Sequence, residues 1–118
     1  MRNVTIKRGR WLRGEGSEDS YLLRGTDNKM CCLGYVARAA RVTAHDIFHV
    51  RTPDGLIRAT RRRGWFRDLF LDSALFDNSE LTNTLMEIND SQTISDLERE
   101  VYLGLAFAGL GINVRFVD

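Results

Sequence analysis

The C-terminal stretch SDLEREVYLGLAFAGLGINVRFVD, residues 95–118, constrains the fold more than any other part of the chain. Ser95 and Glu98 have the S-x-x-E spacing of a capping box, in which each side chain bonds the backbone N–H of the other residue. We expect a helix over residues 96–108, ended by the glycines that follow it. INVRFV at 112–117 alternates apolar and polar residues and therefore predicts a final strand.

The N-terminal part of the chain has the pattern of a β-hairpin. NVTIKRGRWL at 3–12 alternates apolar and polar residues, as a half-buried strand does. SYLLR at 20–24 is rich in β-forming residues, and GEGS at 14–17 is typical of a turn. We therefore expect the two segments to pair as antiparallel strands.

Three further helices are predicted, over residues 29–41, 44–50 and 80–88, from apolar spacing and from capping residues before each segment. The predicted fold class is α+β: a short antiparallel sheet, made of the N-terminal hairpin and the C-terminal strand, packed against three or four helices. Gly34 and nearby alanines keep the first of these helices narrow, so that it can lie close to the sheet. A length of 118 residues suits one compact domain over 1–118.

Charge is segregated along the chain. Residues 1–67 hold 15 basic and 6 acidic side chains, a balance of +9, and residues 68–118 hold 2 and 10, a balance of −8. Opposed surfaces of this kind favour docking to a macromolecule or association between copies, so a homo-oligomer is one expectation. A second is internal neutralisation, in which acidic helices pair with basic segments. The expected carboxylate surface consists of Asp90, Asp96, Glu98 and Glu100.

RATRRRGWFR at 58–67 is the strongest candidate for a binding segment. Arginine forks match phosphate oxygens and a neighbouring aromatic ring can stack on a base, which predicts nucleic-acid binding. Arginine and tryptophan are equally the usual anchors of protein interfaces. A third interpretation is a solvated loop whose aromatic residues reach into the core. The candidate partner-binding residues are Arg58, Arg61, Arg62, Arg63, Trp65, Phe66 and Arg67.

Two adjacent cysteines, Cys31 and Cys32, head an apolar segment. Neighbours in a chain rarely bridge, because their Cα atoms are too close for relaxed disulfide geometry. We expect them to pack as small apolar residues. The alternative is a reactive thiolate, which a helix N-terminus and Lys29 would favour. Unbridged cysteines, and the absence of an apolar leader in MRNVTIKRGRW, predict a cytoplasmic protein.

HDIFH places His45 and His49 four residues apart, the spacing of one helix face and of a metal site. The segment resembles the HExxH pattern of zinc peptidases, but Asp46 replaces the glutamate and is shorter by one methylene group. A small zinc-dependent enzyme built on these histidines is therefore one hypothesis. No GxSxG, P-loop or GxGxxG motif is present, and the sequence favours a protein that is not an enzyme and needs no cofactor.

Three blocks carry a resemblance that spans most of the chain: NKMCCLGYVARA at 28–39, LMEINDSQTISDLERE at 85–100 and GINVRFVD at 111–118. They resemble a type of small protein of bacteriophages and prophage regions for which no activity is established. The resemblance implies an accessory protein acting in the cytoplasm of a bacterial host cell. Proteins of that setting often bind host machinery, including defence complexes.

The sequence thus predicts a non-enzymatic phage or mobile-element accessory protein. It would bind a host protein or ribonucleoprotein complex through charged surfaces, and an anti-CRISPR-like inhibitor is the concrete version. The alternatives are a nucleic-acid-binding protein that uses residues 58–67 and the zinc enzyme. No stretch approaches the ~20 apolar residues of a membrane span, so no membrane partner is expected.

Overall fold

The structure is a computed structural model that describes residues 2–52, 64–70 and 79–118. It has helices and a small sheet, which confirms the predicted α+β class. In chain order the elements are β1 (Arg2–Lys7), α1 (Cys32–Ala39), α2 (Ala44–Ile47), α3 (Trp65–Phe70), α4 (Ser79–Asp90), α5 (Asp96–Ala108) and β2 (Ile112–Val117). A short 3₁₀ turn over Arg8–Arg10 follows β1.

The sheet contains β1 and β2, which pair in parallel with Arg2 opposite Ile112 and Lys7 opposite Val117. The predicted antiparallel sheet is therefore wrong. Parallel neighbours need a long crossover connection, and here the crossover contains all the helices. Its last element, α5, runs back along the sheet, so that β2 starts beside the start of β1.

The predicted N-terminal hairpin does not form, because its turn is bound elsewhere. Gly14 and Gly16 have φ values of +68° and +83°, a region that favours glycine. In this conformation their N–H groups donate to the carbonyls of Asn89 and Asp90 at the end of α4, at 2.9 and 3.0 Å. Residues 20–24 form no strand; Leu23 makes only an isolated bridge with Phe48.

Helix α1 begins at Cys32, three residues later than predicted. Asn28 has a φ of +58°, and Met30 is extended, with its N–H donating to the Arg10 carbonyl at 3.1 Å. The narrow face of α1 is confirmed at Gly34, where an added Cβ would overlap the Leu22 carbonyl group. The close approach is to the segment over 20–24 rather than to the sheet.

The C-terminal elements match the sequence pattern. The Ser95 hydroxyl accepts from the Glu98 N–H and the Glu98 carboxylate accepts from the Ser95 N–H, both at 3.1 Å. Helix α5 ends at Ala108, and Gly111, with a φ of +76°, turns the chain into β2. Both predicted elements, 96–108 and 112–117, are confirmed.

Helix α4 extends to Asp90, two residues beyond the end of the predicted helix over 80–88. Its end is held by the buried side chain of Arg99 on α5. That guanidinium donates to the carbonyls of Ile88, Ser91 and Ile94 at 2.9–3.2 Å. Arg99 therefore satisfies acceptors that a helix C-terminus leaves without partners.

The core lies between the sheet and the helices, with α1 against β1 and α5 against β2. Its largest fully buried side chains include Trp11, Phe66, Phe107, Leu33 and Ile6. The other face of the sheet is polar, and there Asn113 donates to the side chain of Asn3 at 3.1 Å. Within the described ranges, no helix has the length and apolar composition that a bilayer crossing needs.

Candidate interaction surface

Three of the seven predicted partner-binding residues lie in the described part of the chain, all on α3. Arg58, Arg61, Arg62 and Arg63 lie outside the described residues. Trp65 is half-buried, Phe66 is buried and Arg67 is exposed. Helix α3 therefore places Trp65 and Phe66 toward the core and Arg67 toward solvent.

Phe66 is a core residue, so its predicted role as a partner contact is wrong. It is 2% exposed, and its ring lies 5.0 Å from that of Phe70. The two phenylalanines are four residues apart and thus share one face of α3. For Phe66 the structure agrees with the third interpretation, an aromatic side chain that reaches into the core.

Trp65 packs against the edge of the core and lies under the side chain of Arg2. The Arg2 guanidinium carbon is 5.0 Å from the centre of the indole ring, within the range of a cation–π contact. Arg2 is exposed at the start of β1, and Arg67 is exposed two residues beyond Trp65. We call Arg2, Trp65 and the exposed Arg67, which projects from a different side of the same helix, the basic cluster. The sequence did not indicate that β1 contributes to it.

Ion pairs join the basic and acidic halves of the chain. Arg8 lies 2.8 Å from a Glu100 oxygen and 3.0 Å from an Asp118 oxygen, and Arg13 lies 3.4 Å from Asp96. The hydrogen bonds to Glu100 and Asp118 raise the pKa of Arg8 above its ordinary value. The internal neutralisation expected from the sequence is therefore present at the end of β1 and along α5.

The predicted carboxylate surface does not form as a free docking face. Asp90 is buried, and burial raises the pKa of its carboxyl group. Glu98 belongs to the capping box, where the N–H and hydroxyl groups of Ser95 lower its pKa. Asp96 and Glu100 pair with arginines. All four acidic side chains are thus used within the fold.

Many basic side chains have no acidic partner. Among the described residues, those without a carboxylate in ion-pair distance are Arg2, Lys7, Arg10, Lys29, Arg38, Arg41, Arg51, Arg67 and Arg115. Arg51 lies over the Tyr21 ring and donates to its hydroxyl group at 3.1 Å. In the part of the chain that the structure describes, the side chains without an ion-pair partner thus carry an excess of positive charge, which suits an acidic partner.

The cysteine pair packs in the core, as predicted. Cys31 and Cys32 are free and buried at the start of α1. Burial raises the pKa of Cys31 to about 12 and raises that of Cys32 well above its usual value. The alternative of a reactive thiolate at a helix N-terminus is wrong, because burial raises the pKa of both thiols more than the nearby backbone N–H groups lower it.

The two histidines do not share a helix face. Helix α2 ends at Ile47, and His49 lies beyond it with a φ of +57° and its ring against Tyr21 and Phe48. His45 is exposed on α2. The predicted ligand geometry at His45 and His49 is therefore wrong. Across the described ranges, no group of three or more His, Cys, Asp or Glu side chains could hold a metal ion.

Sequence patterns did not single out the outer face of α5, on which four of the five large exposed hydrophobic side chains of the described residues lie. Leu97, Val101 and Leu105 are spaced four residues apart and are 75%, 51% and 69% exposed, and Tyr102 beside them is 45% exposed. We call these four residues the α5 ridge. The sequence does contain an indication of this face, because VYLGLAFA has apolar residues on every side of a helix, and such helices are normally covered.

Comparisons of this chain with protein-family models, with curated proteins and with solved structures each found no match. The interaction surfaces are therefore interpreted from their own geometry and charge.

Proposed function

We propose that this protein is a non-enzymatic binding protein that docks onto an acidic surface of a host macromolecule, a protein or a ribonucleoprotein complex. The proposed setting is the bacterial cytoplasm, where it would act as a phage or mobile-element accessory protein. The resemblance of the three sequence blocks supports that setting. An inhibitor of a host defence complex, of the anti-CRISPR type, is the concrete version of this function.

The basic cluster carries the proposal. Arg2 and Arg67 are exposed, neither has a carboxylate partner in the described part of the chain, and Arg2 lies on the ring of Trp65. An arginine held against an aromatic ring keeps its donors free and loses less side-chain entropy on binding than a mobile one. Tryptophan and arginine are also the residues that most often dominate interface energies. The remaining arginines of the predicted segment come directly before α3 in the chain.

A protein surface fits this cluster better than nucleic acid does. A stacking platform for bases needs an open aromatic face, whereas the Trp65 ring is half-buried and one face is covered by Arg2. The favoured partner therefore presents carboxylates to the cluster.

The test is affinity capture from a bacterial lysate with the full chain, before and after nuclease treatment. The variant carries Arg2→Glu and Arg67→Glu together, and its matched control carries Arg10→Glu and Arg115→Glu. All four arginines are exposed, and each double variant replaces two arginines by glutamates, so the two variants have the same net charge. We expect capture of a defined protein or ribonucleoprotein that persists after nuclease treatment, is lost with the first variant and is retained with the control.

Two results contradict the proposal. Capture that both double variants lose equally would mean that only net charge matters. Capture that nuclease abolishes, together with a shift of a short single-stranded DNA that weakens steeply with salt, would identify nucleic acid as the partner.

A further inference from the structure

The α5 ridge runs along the side of the helix that faces away from the core. Leu103 and Phe107 on the opposite side are fully buried, whereas Leu97 and Leu105 remain 75% and 69% exposed. The four ridge side chains expose on the order of 400 Å² of mostly apolar surface, a size at which patches on soluble proteins mark interaction sites. The fold itself therefore does not account for the outer face of α5.

Gly104 gives a second indication on the same helix. It lies on the ridge side between Val101 and Leu105, and a Cβ added there would meet nothing within 4 Å. Glycine is the poorest helix former apart from proline, and its φ is not in the left-handed region. Neither the backbone conformation of Gly104 nor the packing of the residues that the structure describes requires glycine here. A second helix that crosses close to the α5 backbone would require glycine at this position, because the distance between two packed helices depends on the side chains at their contact.

We propose that the α5 ridge is a two-fold interface at which a second copy of this chain packs its own α5 in antiparallel orientation. Leu97 and Leu105 are each four residues from Val101. A two-fold axis at Val101 therefore places Leu97 of each copy against Leu105 of the other, and Val101 against Val101. A surface patch that matches itself in this way is what an isologous dimer needs.

The charges around the ridge favour the same arrangement. Asp96 at the N-terminal end of α5 is paired with Arg13, so the unpaired charge beside the ridge is that of Glu98, and the four ridge residues themselves carry no charge. An antiparallel pair with its axis at Val101 separates the two copies of Glu98 by about 9 Å along the helix axis at 1.5 Å per residue, about one Debye length. A parallel pair would place them side by side. The net charge of +1 adds little repulsion between whole molecules.

The area of the ridge sets the strength of the dimer. Two ridges with their flanking small residues bury on the order of 1,000 Å², the lower limit for a specific interface. We therefore expect a dimer that dissociates on dilution. The Arg2–Trp65 contact is not part of this surface, so the inference is independent of the proposed function.

Sedimentation equilibrium of the full chain tests the interface, from about 1 to about 500 μM, where contacts of this size dissociate. Val101→Glu and Val101→Lys each place like charges at the two-fold axis. We expect each to raise the dissociation constant by at least about 100-fold, because opposed like charges are strongly unfavourable. An equimolar mixture of the two variants is expected to recover dimers. Ala39→Glu and Ala39→Lys make the same charge changes at an exposed site on α1 and should leave the dimer intact.

Each other outcome overturns the proposal. A wild-type chain that stays monomeric over this range would assign the ridge to a different partner. Dimers that survive both Val101 variants would lie elsewhere on the surface. Failure of the mixture to recover dimers, with both variants folded by circular dichroism, would exclude a two-fold axis at Val101. Dissociation in about 0.5 M salt would indicate charged faces rather than an apolar ridge.

Discussion

Asn89 is the residue whose removal is expected to harm this fold most through hydrogen bonding. It is 1% exposed near the end of α4 and joins three parts of the chain. Its Oδ1 accepts from the indole N–H of Trp11 at 2.9 Å and from the backbone N–H of Cys32 at 3.0 Å. Its Nδ2 donates to the Leu12 carbonyl at 3.0 Å and to Asp90 Oδ1 at 2.9 Å.

Asn89→Ala leaves three buried groups without their partners: the Trp11 indole N–H, the Cys32 N–H and the Leu12 carbonyl. Each buried polar group left unsatisfied costs about 1–3 kcal/mol. Water entering the space of the lost amide would recover part of this, so we expect a loss of about 3–5 kcal/mol in the free energy of unfolding. Domains of this kind are stable by only about 5–15 kcal/mol, so the variant should be close to the limit of folding.

Urea unfolding followed by tryptophan fluorescence measures this loss. With a slope of about 1.5 kcal/mol per molar urea, the midpoint should fall by about 2–3 M. Asn83→Ala is the matched control, because Asn83 is exposed on the same helix and its truncation should change stability by less than about 0.5 kcal/mol. If Asn89→Ala lost less than about 1 kcal/mol, the bonds of Asn89 would not be what holds Trp11 and α1 against α4.

Three further predictions concern helix packing, thiol reactivity and pH. Gly34→Ala should lower the free energy of unfolding by about 1–3 kcal/mol through steric overlap. Gly104 has open space around it, so Gly104→Ala should raise the free energy of unfolding by about 0.5–1 kcal/mol. Thermal unfolding of dilute protein compares the two variants. Cys31 and Cys32 should resist an aromatic disulfide reagent at pH 8 in the folded protein and react fully in urea; rapid labelling of the native chain would contradict their burial. The hydrogen-bonded ion pair with Arg24 lowers the pKa of Asp27 from 3.8 to about 2. The stabilising effect of this pair is therefore present above pH 4 and is lost as the pH falls toward 2. Asp27→Asn should remove that part of the acid dependence, and an unchanged profile of thermal midpoint against pH would refute it.

The C-terminal part of the fold could be predicted because its signals are local. The Ser95–Glu98 capping box, the glycines after Ala108 and the alternation over 112–117 each act within a few residues. The structure has all three where the sequence placed them.

The N-terminal part could not be predicted from local patterns, because distant residues decide it. The turn over 14–17 is compatible with a hairpin, but its N–H groups bind the carbonyls at the end of α4, far away in sequence. The Arg99 side chain lies at the same place and holds that helix end. Since nothing in residues 3–24 indicates this contact, the pairing of β1 with the last strand of the chain was not foreseeable.

The candidate surface was predicted only in part for the same reason. Composition identified arginine and tryptophan around residue 65, but it could not show that Phe66 faces the core or that Arg2 covers Trp65. Basic and acidic residues are segregated along the sequence, but their order in the chain could not show which of them form ion pairs. Arg8 and Arg13 bind the acidic residues of α5 and the last residue of the described chain.

These ion pairs explain why the α5 ridge is uncharged whereas the basic cluster is charged. Because Arg8 binds Glu100 on one flank of α5, that flank is both neutralised and attached to the end of β1. The outer flank of α5 is left with the uncharged ridge, while the unpaired cations lie on other elements such as β1 and α3. High salt should therefore weaken docking through the basic cluster and leave pairing through the ridge intact. The same series of salt concentrations can be applied to both assays: capture reports on docking through the basic cluster, and sedimentation reports on pairing through the α5 ridge. If salt weakened both interactions equally, this division between a charged and an apolar surface would be contradicted.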